Sequence, residues 1–230
     1  AVTGKTKALI INFPNNPTGA VMRREHLSAI ADIVIDHDLL LISDEVYSEL
    51  TYTGTHVSAA TLDGMWDRTI TLNGFSKAYA MTGWRIGYLC APKDICDAAL
   101  KIHQYVMLCA PVMGQVAALE AIRRGEDEKD RMVQEYRIRR NLFVEGLNRI
   151  GLSCHMPEGA FYAFPSVEMT GLSDLEFAEQ LLCEEQVAVV PGSVLGKGGE
   201  NHCRCAYAVS RKDLAEALRR MEHFISGRPG

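Results

Sequence analysis

Three short, uninterrupted apolar runs, each ending in a polar cluster, constrain this chain more than any other feature. ALIINF (8–13) runs into PNNPTG, LLLIS (39–43) into DEVY, and TITL (69–72) into Asn73-Gly74. Runs without polar alternation mark strands of a parallel sheet covered on both faces. Between the first two lies a helical repeat over 24–36, with Leu27, Ile30, Ala31, Val34 and Ile35 on one face. Its length suits a right-handed strand–helix–strand crossover. The fold class is therefore α/β, with the polar clusters at the carboxyl ends of neighbouring strands, where open α/β sheets place their ligands.

Those strand ends gather a particular set of side chains. PNNPTG supplies Asn16, DEVY supplies Asp44 and Tyr47, and Lys77 follows the third strand within a Gly/Ser turn. Arg85 comes shortly after, between Gly83 and Gly87 and ahead of a further strand, IGYLCA. Alone, the lysine reads as a solvated charge and the arginine as a salt-bridge partner; their convergence on one sheet edge changes the odds. A lysine amine forms a Schiff base with a carbonyl once positive neighbours or desolvation keep it partly neutral. A buried strand-end aspartate can hold a protonated ring nitrogen. Asparagine and tyrosine can donate to a phenolic oxygen, and an arginine fork can clamp a phosphate or carboxylate. Together these describe a pyridoxal phosphate site.

The ordered set NNPTG, DEVY, SK and GWRIG resembles the fold-type I pyridoxal-phosphate-dependent aminotransferases of class I/II, over residues 5–224. The resemblance implies part of a large, doubly wound, mostly parallel-sheet cofactor domain (1–140) and a C-terminal α+β small domain (141–230). It implies Lys77 as the lysine bonded to the cofactor and the base that moves the proton. Asp44 becomes the partner of the ring nitrogen, Tyr47 and Asn16 the donors to the ring oxygen, and Arg85 a phosphate ligand. Arg204 matches the family arginine that binds the substrate α-carboxylate, with Asn16 also on the substrate side. Gly74 stands where many relatives have a phosphate-site serine. The implied reaction moves an amino group from an L-amino acid, of the aspartate or aromatic type, to a 2-oxo acid such as 2-oxoglutarate, in a homodimer serving amino acid biosynthesis. Two alternatives share the motifs: a C–S β-lyase using the same cofactor, and the aminotransferase-like sensor domain of a transcription regulator.

Composition narrows the partners. With 47% hydrophobic and 23% charged residues the chain is globular, and a net charge of −5 gives no reason to expect nucleic acid. No apolar run is long enough to span a bilayer, and no signal peptide is visible. Seven cysteines without disulfide-framework spacing suggest a reducing cytoplasm. Cys203-Arg204-Cys205 reads as a strand with two buried thiols and Arg204 opposite, and the triplet Arg137, Arg139, Arg140 as a solvated helix face. The histidines share no spacing and receive no role. The chain enters a central strand at once after AVTGKTK, so the expectation is a C-terminal fragment that alone binds cofactor weakly and catalyses little.

Further along, helices are predicted over 93–105, 112–124, 126–150, 174–186 and 211–225. Strands are predicted at LSCHM, AFYAF, VAVVP and RCAYAV. MLCAP is either dimer surface or a buried proline turn. The glycines of GKGGE are expected to supply flexibility.

Overall fold

The computed structural model describes residues 1–227, which divide into two compact units: Ala1–Asn15 with Ala20–Arg131, and Asn16–Gly19 with the residues from Met132 onward. In the first unit, β1 (Ala8–Asn12), β2 (Leu40–Asp44), β3 (Thr69–Gly74) and β4 (Gly87–Cys90) form one sheet in that order. β1, β2 and β3 run parallel, and β4 returns antiparallel to β3. The register sets Asn12 beside Asp44 and Asp44 beside Leu72, so the polar ends of the apolar runs come level.

The crossover between β1 and β2 is α1 (Arg24–Asp36), whose Leu27, Ala31 and Val34 pack with Leu39, Leu41, Ala59, Leu62 and Met65. Burying side chains the size of Val34 or Leu41 contributes roughly 1.5–3 kcal/mol each. Ile30 is partly buried, whereas Ile35 lies at the rim of the stripe and is exposed. The strands depart from the two-sided covering expected of them. Leu9 and Ile11 pack on the α1 side, but Ile10, which alternation turns the other way, is 69% exposed. In β2, Leu41 and Ser43 are buried and their alternate neighbours only partly so. α1 shields one face of this sheet.

The single turn α2 (Phe75–Ala78) follows β3, and α3 (Lys93–Val106) and α4 (Val112–Arg124) follow β4. Ala118 of α4 joins Phe75, Met81 and Ile86 in a second small core, while α3 buries no residue fully.

α5 (Glu126–Arg149) starts in the first unit and continues into the second. There follow β5 (Tyr162–Ala163), α6 (Asp174–Glu185), β6 (Val190–Pro191), β7 (Cys203–Ala206) and α7 (Arg211–Ser226). The strands form an antiparallel sheet in the order β5-β7-β6. Ser173 starts α6 with a capping box: its hydroxyl accepts from the Glu176 N–H, and Glu176 accepts from the Ser173 N–H. Phe177 of α6 meets Phe224 of α7 edge-on with centroids 5.5 Å apart, beside the buried Leu181, Leu214 and Met221. Among the described residues no helix is long and apolar enough to cross a membrane.

Three local expectations fail for identifiable reasons. LSCHM is not a strand, because the Asn148 side chain takes its place in the hydrogen-bond pattern. Asn148 Nδ2 donates to the Cys154 carbonyl (3.0 Å) and its Oδ1 accepts the Cys154 N–H (2.9 Å). The Arg137, Arg139, Arg140 triplet is not a solvated face. Arg140 is 9% exposed and donates to the Pro157 carbonyl (3.0 Å) and to Asn141 Oδ1 (2.8 Å), and Arg139 pairs with Glu135. In GKGGE, Gly199 serves close approach rather than flexibility, since a Cβ there would meet the Gly192 carbonyl oxygen at 2.1 Å.

Candidate active site

In the first unit the end of β2 is fixed from several sides. The Asp44 carbonyl accepts from the Phe13 N–H (3.2 Å) and from Asn12 Nδ2 (3.2 Å). Asp44 Oδ1 accepts from the Val46 N–H (3.2 Å), which orients the carboxylate. Tyr47, in the turn that follows, is buried, and the Lys77 ammonium lies 5.6 Å from its ring centroid. That distance is within reach of a cation–π attraction. The two turns are also tied at Asn73, whose Nδ2 donates to Ser48 Oγ (3.1 Å).

Gly74 ends β3 opposite Gly87. A Cβ at Gly74 would sit 3.1 Å from both the Gly87 Cα and the Ile86 carbonyl oxygen. Close pairing of β3 and β4 therefore leaves little room for a side chain at position 74. Arg85 is exposed and holds a left-handed backbone (φ 57°, ψ 47°), and its Nη1 donates to the Thr82 carbonyl at 2.7 Å. Left-handed backbone costs a non-glycine residue roughly 1–2 kcal/mol, and such residues concentrate at functional sites.

The second unit brings Asn16 and Arg204 together. β7 is the middle strand; Cys203 and Cys205 face the core and Arg204 the other side. Arg204 Nη1 donates to Asn16 Oδ1 (2.8 Å), and its guanidinium lies 4.8 Å from the Tyr162 ring centroid. Burial, followed by the charge of Asp174, pushes the Cys203 thiol up to about 12, and burial pushes Cys205 well above the ordinary thiol value. Both thiols stay protonated and serve packing.

Asn16 is placed by Gly19, whose carbonyl accepts from the N–H groups of Glu158 (3.0 Å) and Gly159 (2.8 Å). Gly19 has φ +69°, and a Cβ there would meet Pro157 Cβ at 2.5 Å and the Gly159 oxygen at 2.8 Å. Gly19→Ala is expected to destabilise the chain by about 2–4 kcal/mol, read from urea unfolding, through left-handed strain and overpacking. A loss below about 0.5 kcal/mol would count against this docking.

The sequence reading passed over Glu45 and His56. Glu45 is 3% exposed and its carboxylate meets Ser43, His56, Ser58 and the Ala59 N–H. Its only trace in the sequence is the alternation Ser43-Asp44-Glu45, which puts Ser43 and Glu45 on one face and Asp44 on the other. Burial alone would raise this carboxyl, but hydrogen bonds from His56 and Ser43 outweigh it and hold the group below its usual value near 4.5. A depressed folded-state value stabilises the fold above the unfolded-state value, and that contribution is lost as pH falls through the folded one. The stability gap between wild type and Glu45→Gln should therefore shrink on acidification below about 4.5, measured by urea unfolding at stepped pH. A gap independent of pH would contradict it.

A profile of the family Aminotransferase class I and II matches residues 1–221. The chain belongs to this family. Among class I and II aminotransferases it is 56% identical over 225 residues to YugH of Bacillus subtilis, an aminotransferase by name, covering 98% of this chain and 58% of that protein. It is 48% identical over 227 residues to aromatic-amino-acid aminotransferase 2 of Thermococcus litoralis, covering 97% of this chain and 58% of that one. The crystal structure of the aromatic aminotransferase from Pyrococcus horikoshii superposes with a TM-score of 0.95 at 48% identity, over 98% of this chain and 61% of that one. The α/β fold is thus shared with solved aminotransferases. The chain spans 58% of the length of these curated relatives.

Proposed function

We propose that this chain serves a pyridoxal-phosphate-dependent transamination, from an L-amino acid of the aspartate or aromatic type to a 2-oxo acid such as 2-oxoglutarate. The observation that carries the reading is the Lys77 ammonium at the Tyr47 ring, on the strand ends that also bear Asp44. The donor set fits the cofactor in chemistry: an amine for its aldehyde, a carboxylate for its basic ring nitrogen, a phenol for its ring oxygen and a guanidinium for its phosphate. When bound, pyridoxal phosphate supplies an electron-poor ring that stabilises negative charge at the substrate Cα.

The chain's own residues do the rest. Lys77 Nζ would hold the cofactor through its aldehyde and, as a free amine, would be the base that accepts the proton from the substrate Cα and delivers it to the cofactor carbon. Asp44, its carboxylate aimed by the Val46 N–H, holds the proton on the ring nitrogen. The Tyr47 hydroxyl is assigned the donation to the ring oxygen. Arg85 binds the phosphate with a fork steadied by the Thr82 carbonyl. In the second unit Arg204 receives the substrate carboxylate, held flat by Tyr162 and turned by Asn16.

The substrate class is supported by relatives named as aspartate and aromatic-amino-acid aminotransferases. A second copy of the chain is the proposed macromolecular partner. Tyr105, Val106, Leu108, Val112 and Met113 are 68–93% exposed in one apolar run, an unusual surface for a monomer. Incubation with aspartate or an aromatic amino acid and 2-oxoglutarate should yield glutamate and the matching 2-oxo acid in equal amounts. Release of ammonia and pyruvate from a cysteine conjugate, without amino transfer, would overturn the assignment.

A further inference from the structure

Directly beside Asp44, Glu45 is built into an arrangement that packing alone does not require. Its Oε1 accepts from Ser43 Oγ (2.9 Å), Ser58 Oγ (3.0 Å) and the Ala59 N–H (3.1 Å), and its Oε2 lies 3.0 Å from His56 Nε2. One donor comes from β2 itself and three from the segment around 56–59. The Glu45 backbone is held as well: its N–H donates to the Leu72 carbonyl of β3 (2.9 Å), and its carbonyl accepts from the Ser48 N–H (2.9 Å). Taking a carboxylate out of water costs several kcal/mol, and an apolar pair of similar shape commonly stabilises as well or better. Such a cluster is better explained by what it orients.

What it orients follows from covalent geometry. The Glu45 carbonyl and the Val46 N–H share one peptide plane, and that N–H is the donor to Asp44 Oδ1. Turning Glu45 turns the donor that aims Asp44, and Tyr47 follows within the same turn. We propose that Glu45 and His56 are positioning residues: the clamp they form fixes the peptide after β2 and so sets the direction of the Asp44 carboxylate and the seat of Tyr47. Its consequence for the cofactor rests on the proposed role of Asp44.

His56 is the place to test it, because its side chain is 19% exposed and borders a cleft of about 320 Å³ with Glu45, Ser48 and Thr51, so truncation leaves no sealed void. In the full chain, His56→Ala is expected to speed amide hydrogen exchange at Val46 by about tenfold, the loss of one charge-assisted hydrogen bond, with the amides of β1 and α1 unchanged. The dissociation constant for pyridoxal phosphate, titrated by absorbance, should rise by a similar factor. His56→Gln, which keeps an N–H donor, should restore both. Unchanged exchange at Val46 in His56→Ala, acceleration spread evenly over the whole unit, or no rescue by His56→Gln would overturn the proposal. Faster exchange at Val46 with unchanged cofactor affinity would support the clamp and instead refute the assignment of Asp44 to the cofactor.

Discussion

Lys77→Ala is expected to end turnover, lowering kcat by more than about 10³-fold while leaving the fold intact. In the proposed role the side chain is both the covalent anchor and the base at Cα, and a positioned base alone is worth about 10²–10⁴ in rate. No stability loss of that scale accompanies it, since the Lys77–Tyr47 ring contact contributes about 0.5–2 kcal/mol at most. Lys77→Arg should fare as badly, because a guanidinium keeps its proton and cannot attack a carbonyl. Steady-state rates of the cofactor-loaded protein, beside a thermal unfolding curve, check the pair of claims. A near-normal rate in either variant removes Lys77 from the chemistry.

Arg204→Ala is expected to raise KM for α-carboxylate substrates by about 100-fold, with a smaller effect on kcat. A bidentate, charge-assisted pair loses about 3 kcal/mol when its arginine is removed, and 1.4 kcal/mol is tenfold in affinity. The geometry adds a sharper expectation. The guanidinium is laid on the Tyr162 ring and turned by Asn16, so Arg204→Lys, a point charge without the planar fork, should recover only part of the loss. Kinetics with an amine lacking the carboxylate provide the control, since KM for it should not move. An unchanged KM for amino acids in Arg204→Ala would move the carboxylate elsewhere.

The two residues stand out in the sequence for different reasons: Lys77 follows the third apolar run, in the single turn α2 after β3, whereas Arg204 lies in β7 and is picked out by the family resemblance alone. The stripe Leu27, Ala31, Val34 defined α1, and the polar ends of the apolar runs defined where β2 and β3 stop. What sequence could not show depends on partners brought in by the fold. LSCHM has a strand's composition, but Asn148 occupies the backbone groups that a neighbouring strand would need. Three clustered arginines look alike on paper, and only the Pro157 carbonyl makes Arg140 the buried one. His56 lies in a loop with no periodicity to mark it, and it meets Glu45 only because that loop folds back on β2. The apolar runs themselves say nothing about which face is shielded; Ile10 shows that α1 covers only one.

The most direct measurement is chemical. The chain is mixed with pyridoxal phosphate, the bond to protein is fixed by borohydride reduction, and the labelled peptide is located by mass spectrometry after digestion. The predicted result is equimolar label on the peptide that carries Lys77. Label distributed over exposed lysines such as Lys5, Lys93 and Lys101, with Lys77 unmarked, would contradict it.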